Sequence, residues 1–145
     1  MWYSGKTHDF GGNIQALFTP RGIPLWVSDA LPGNVHDLAA ACGNVLSVLR
    51  PFPAGLPALA DPGYEGAGCG IHALVRKPAG VKELGLSTRA RNAPLRTARG
   101  PGERGFALLT QRWKTLQHVT AGPGKIGLIA KATLVLVLFE HEMIT

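Results

Sequence analysis

Two carboxylates stand out by their settings. Asp61 ends a short apolar run, Leu56-Pro-Ala-Leu-Ala, and is followed at once by Pro62-Gly63 and Tyr64-Glu65-Gly66. An apolar run that stops at an acid and then turns reads as a buried strand with a carboxylate at its C-terminal edge. Open α/β sheets commonly hold ligands and metals at that edge. Asp before Pro-Gly is equally at home in a plain turn, so the local sequence leaves both roles open. Glu103 heads a second pattern, in which Glu103, Phe106, Leu109, Trp113 and Leu116 share one helical face while Arg104, Gln111 and Lys114 largely face away. A charge at the N-terminal end of an inward stripe is costly without a partner. At an exposed first turn it would instead be favoured by the helix macrodipole.

The elements that must position these acids follow from the pattern. Asn13–Thr19 and Pro24–Ser28 flank a Pro20-Arg-Gly-Ile23 turn and read as an antiparallel hairpin. Asn34-Val-His-Asp37 opens a helix with Asn34 as N-cap and Asp37 at the N3 position, an apolar stripe of Leu38, Ala41, Val45, Leu46 and Leu49, and a stop at Arg50-Pro-Phe-Pro53. His36 and Asp37 could also serve as ligands or acid/base groups. Gly70–Arg76 suits another strand; the glycines before it lack the GxGxxG or Walker pattern of a phosphate cradle. From Lys82 to Gly102 the chain is basic, and Pro94 predicts short helices on either side. Ile126–Ile144 is apolar nearly all round and reads as a core helix over the sheet.

The chain has 145 residues, enough for one domain with its own core, and its 46% hydrophobic and 17% charged content excludes a disordered polymer. Its net charge of +6 is unevenly placed: residues 76–114 hold ten Lys/Arg against Glu83 and Glu103, hence +8, leaving −2 elsewhere. Such a block suits a phosphate backbone, or a solvated loop. The cations in question include Arg76, Lys77, Arg89, Arg91, Arg96, Arg99, Arg104, Arg112 and Lys114. Cys42 and Cys69 form no CxxC pair, which suits a reducing, cytoplasmic setting. The start is polar, without a signal peptide's apolar core, and Ile126–Phe139 is too short to span a membrane and contains Lys131, so no membrane partner is expected. His8, His72, His118 and His141 lack zinc-ligand spacing, and Trp2, Trp26 and Trp113 read as core anchors.

Four strings in order, Trp2-Tyr-Ser-Gly-Lys6, Trp26–Asp37, Leu59-Ala-Asp-Pro-Gly-Tyr-Glu-Gly66 and Gly102–Lys114, resemble the DDE superfamily of bacterial insertion-sequence transposases over nearly the whole chain. The resemblance implies an α/β, ribonuclease H-like mixed sheet flanked by helices. It also implies an enzyme that cuts and joins double-stranded DNA, at transposon ends and target, with two divalent ions, Mg²⁺ or Mn²⁺. Carboxylates suit that task because Mg²⁺ demands oxygen donors, and two ions activate the nucleophile and stabilise the leaving oxygen. Position by position, Asp61 matches the second acid of the triad and Glu103 the third, making both catalytic and metal-binding.

In the family the first Asp precedes the Tyr-Ser-Gly-Lys string, which here begins near residue 2 with no acid before it. The expectation is therefore residues 1–145 as a single partial catalytic domain, N-terminally truncated and lacking the first metal ligand. Asp37 is the best in-chain substitute. Three outcomes follow: a transposase whose sequence is partial; a catalytically inactive remnant that binds DNA or associates with its own kind or with an intact transposase; or a fragment destabilised by unpaired edges.

Overall fold

The computed structural model describes residues 3–4, 8–51, 57–68, 70–117 and 122–143. Expectations on Trp2, Lys6, Pro53, Leu56, Cys69 and His118 lie outside them. The order is β1 (Tyr3–Ser4), β2 (Asp9–Phe10), β3 (Gly12–Asn13), β4 (Ala16–Phe18), β5 (Pro24–Val27), β6 (Leu31–Pro32), α1 (Asp37–Gly43) and α2 (Val45–Leu49). Then come β7 (Ala58–Ala60), a 3₁₀ turn (Pro62–Tyr64), β8 (Ile71–Ala73), α3 (Leu86–Ala107), a π-helical turn (Leu108–Arg112), a 3₁₀ turn (Lys114–Leu116) and α4 (Pro123–Glu140). The class is mixed α/β, as expected. Its sheets are small: β1–β2, β3–β6 and β4–β5 pair antiparallel, and β7–β8 pair parallel.

The β4–β5 hairpin forms around the expected turn, but the expected Asn13–Thr19 strand is split, with Ala16–Phe18 pairing with β5 and Asn13 pairing with Leu31 of β6. Thr19 N–H donates to the Ile23 carbonyl at 2.9 Å, and the Thr19 hydroxyl accepts from Ile23 N–H at 3.0 Å. Gly22 takes the left-handed conformation the turn requires, with φ +82°. Val27 of β5, Leu109, Ala130 and Val137 form the buried core, with Ile14, Phe18, Trp113 and Leu134 packed against it. Helix α4 covers β5, as its apolar composition predicted. It approaches closely because Gly127 has no side chain: a Cβ there would sit 3.0 Å from Ala30 N. Lys131 Nζ pairs with Asp29 Oδ1 at 2.5 Å across the same contact.

Three expectations are corrected. Asn34 lies in a turn closed by Val35 N–H to the Pro32 carbonyl, so the helix starts later. His36 is its N-cap without a side-chain bond, Asp37 is its first residue, and Asn44 breaks it into α1 and α2. Second, the basic segment is one 22-residue helix running through Pro94 and Pro101, not short helices around Pro94. Pro94 is exposed, so its ring points to solvent. Tertiary contacts hold the helix around it. Buried Asn92 donates to the Val75 carbonyl at 2.9 Å and accepts from Val75 N–H at 3.2 Å, pairing with the chain after β8 as a strand would. Third, Glu103 lies near the C-terminal end of α3 rather than at a helix start, and it is exposed rather than inward.

What faces inward beside it is Gly105. A Cβ there would overlap the Phe18 ring and come within 2.9 Å of the Gly22 carbonyl, while one on Gly22 would lie 2.6 Å from the Pro101 carbonyl. A helical Gly→Ala change ordinarily stabilises by about 1 kcal/mol. Here overpacking against backbone and ring, about 1–3 kcal/mol, reverses the sign. Gly105→Ala is thus expected to lower the urea midpoint, and Asn92→Ala to cost about 1–2 kcal/mol by removing the buried partner of the half-buried Val75 N–H and carbonyl. A Gly105→Ala protein as stable as the parent would show the close approach to be wrong.

Candidate active site

Asp61 follows β7, whose partner β8 runs parallel with Ala58, Leu59 and Ala60 opposite Ile71, His72 and Ala73. Joining parallel strands through so short a connection requires repeated reversals. Gly66, Gly68 and Gly70 supply them, with φ of +86°, +70° and +76°. That is the purpose of a glycine run which carries no phosphate-binding pattern. Asp61 thus emerges at the C-terminal edge of a strand and caps the 3₁₀ turn with extended backbone.

A cavity of about 170 Å³ opens at this edge. Its polar wall is Gln15, Asp61, Tyr64, Arg99 and Glu103, and its apolar wall includes Phe18, Val45, Leu95 and Phe106. The structure brings Asp61 and Glu103 together here, from β7 and α3, and joins them through one residue. Arg99 Nε lies 3.1 Å from Asp61 Oδ1, and another nitrogen of the same guanidinium lies 3.3 Å from Glu103 Oε1. The helix macrodipole does not favour an acid near the C-terminus of α3, so Arg99, one turn earlier, is the counter-charge that Glu103 has. Sequence reading grouped Arg99 with the DNA-facing cations. The i,i+4 spacing of Arg99 and Glu103 was the available signal for this pairing.

Behind Asp61 stands a hydrogen-bonded chain that no local pattern announced. The Tyr64 hydroxyl donates to Gln15 Oε1, buried Gln15 Nε2 donates to Asn13 Oδ1 at 2.6 Å, and Asn13 Nδ2 donates to Asp37 Oδ1 at 3.0 Å. Asp37 also packs against Gly63, where a Cβ would sit 3.0 Å from Oδ2. It therefore supports the turn after Asp61 and does not line the cavity. Among the described residues no three His, Cys, Asp or Glu side chains are grouped to hold a metal. Asp61 and Glu103 are the acids lining the cavity, and carboxylate oxygens of this kind are the donors a hard divalent ion takes.

The remaining predicted cations divide in two. Arg89 pairs with Glu83 at 3.0 Å, and Arg112 pairs with Glu140 at 2.8 Å while lying 5.4 Å from the Trp113 ring centre. Lys77 donates to the Lys82 carbonyl at 3.5 Å. Arg76, Arg91, Arg96, Arg104 and Lys114 are exposed, with no ion pair among the described residues.

Burial, and then the charges of Asp37 and Asp61, push the Tyr64 phenol up from 10.0 to about 12. A raised folded-state pKa contributes stability that is complete below pH 10 and is lost as pH climbs to about 12. After discounting for partial exposure, about 1–2 kcal/mol is expected to disappear in that window. Tyr64→Phe should remove that alkaline step from the stability profile. In tyrosinate absorbance titrations Asp37→Asn should lower the Tyr64 pKa more than Asp61→Asn does. The reverse order would put Asp37 elsewhere.

With this geometry in hand, comparison with known proteins gives one match. The family model described as DDE superfamily endonuclease matches residues 1–137. No curated protein and no solved structure matches. Members of the superfamily generally use divalent metals and act on DNA. An acid at a strand edge, a second on the helix beside it and a match over nearly the full length agree: the chain belongs to the DDE superfamily endonucleases.

Proposed function

We propose that the chain acts as a metal-dependent DNA endonuclease and strand transferase of an insertion sequence, with Asp61 and Glu103 as its metal-binding carboxylates. The observation that carries this reading is their convergence, from a strand edge and a helix, on one guanidinium and one cavity. A parallel strand pair with an acid at its edge and a helix alongside supports a ribonuclease H-like frame. The two carboxylates would hold one Mg²⁺ or Mn²⁺; the family's second ion needs a further carboxylate. One ion held there would supply activation of the attacking water or 3′-hydroxyl, while stabilising the leaving oxygen of the phosphodiester is the task of the second ion.

The protein's own groups do the rest. Gln15, buried, orients the neutral Tyr64 hydroxyl and so fixes the turn on which Asp61 sits. Arg96 and Arg104 on α3, with Arg91 and the loop cations Arg76 and Lys77, neutralise phosphates of double-stranded DNA. Leu128, Val135, Leu136 and Phe139 expose an apolar side of α4 that suits association with another copy or an intact transposase.

A second reading, a DNA-binding or transposase-interacting remnant without catalysis, is favoured by the count of acids at the cavity, which is two among the described residues. Binding and cleavage separate the two. Affinity for double-stranded DNA is expected to fall steeply with salt. Arg96→Gln and Arg104→Gln should each lower the salt slope by about 1, whereas Arg112→Gln should leave it unchanged because that side chain is spent on Glu140. Cleavage under Mg²⁺ or Mn²⁺ that disappears in Asp61→Asn and Glu103→Gln supports the endonuclease. Salt-dependent binding without cleavage supports the remnant, and salt-insensitive binding sinks both.

A further inference from the structure

One arginine joins the two acids of the cavity. Arg99 meets both carboxylates with two nitrogens of one planar cation, at 3.1 and 3.3 Å, so each acid already has a cationic partner on an oxygen that an ion would need. It cannot be dismissed to a distance, since it is carried one turn before Glu103 on the same helix. Nor is it locked in place. Its side chain is 45% exposed, and those of Asp61 and Glu103 are 62% and 72% exposed, so both pairs lie in high dielectric. Exposed pairs of this kind are weak and salt-screened. A divalent ion carries twice the charge in a smaller radius and can displace such a partner.

We propose that Arg99 is a resident counter-cation that competes with the divalent metal for Asp61 and Glu103, setting the metal concentration at which the site loads. The proposal rests on the reading of those two acids as metal ligands. Without a metal, Arg99 offsets one of the two negative charges of the acid pair. Loading requires the guanidinium to leave both oxygens, which its flexible stem permits without moving the helix backbone. A purely structural bridge makes the opposite demand: removing it would let the acids drift apart and weaken metal binding.

The test is a titration of the full chain with Mn²⁺ alone, followed by calorimetry or by the electron-spin signal of free Mn²⁺. The parent, Arg99→Gln, Arg99→Lys and Asp61→Asn are compared, with melting curves in chelator to verify folding. Arg99→Gln is expected to bind Mn²⁺ about three- to tenfold tighter, given the strength of two exposed pairs and the loss of one positive charge. Arg99→Lys, which keeps the charge but lacks the planar fork that presents two nitrogens side by side, should fall between. Equal or weaker binding by Arg99→Gln overturns the competition while leaving the metal site intact. If Arg99→Gln melts, Arg99→Lys carries the test, and binding no tighter than the parent's overturns the proposal. Mn²⁺ binding that Asp61→Asn does not weaken overturns the metal-site reading, and the competition with it.

Discussion

Helix α3 reaches the β4–β5 turn only because Gly22 and Gly105 remove the side chains that would hold it off. Each glycine faces something that cannot yield, the Pro101 carbonyl in one case and the Phe18 ring with the Gly22 carbonyl in the other. Glu103 lies between these two contact points on the helix, so its distance from the strands is set by backbone against backbone. Phe106 completes the contact edge-on to Phe18, with ring centres 5.0 Å apart. The cavity's walls, the acid pair and the placement of Arg99 all inherit that spacing.

The opposite wall is held by polar rather than steric means. Asn13, Gln15, Tyr64 and Asp37 come from a strand, the segment leading into the hairpin, a 3₁₀ turn and a helix start, and each satisfies the next. Buried polar chains specify geometry strongly because any member left unpaired is costly. Two carboxylates that must meet a common cation are thus presented by two unlike supports, one packed and one hydrogen-bonded.

Much of this was legible in the residues. Strand alternation and turn chemistry located the hairpin, and the apolar run into Asp61 located the strand edge, though the strand is not the buried one expected, since Leu59 at its centre is exposed. Asp61 and Glu103, paired in the sequence only by resemblance, line one cavity and both contact Arg99. Helix boundaries were less legible, because Asn34 and Gly102 carry local signals that tertiary contacts overrode. Pro94 argued for a break, yet Asn92 and Gly105 fasten the helix on both sides of it. The chain Asp37–Asn13–Gln15–Tyr64 left no periodic trace, since Asp37 and Tyr64 lie far in sequence from the Asn13 and Gln15 they bond.

Helix α3 also bears on how such a site can be inherited. Within it stand Pro94, Pro101, Gly100, Gly102 and Gly105, which together disfavour a helix by on the order of 9 kcal/mol relative to alanine. Cut free, this segment would not hold Arg99 and Glu103 one turn apart. The pair is therefore not a portable module: its geometry belongs to the glycine contacts and to Asn92, and would have to be transplanted with the hairpin and the chain after β8.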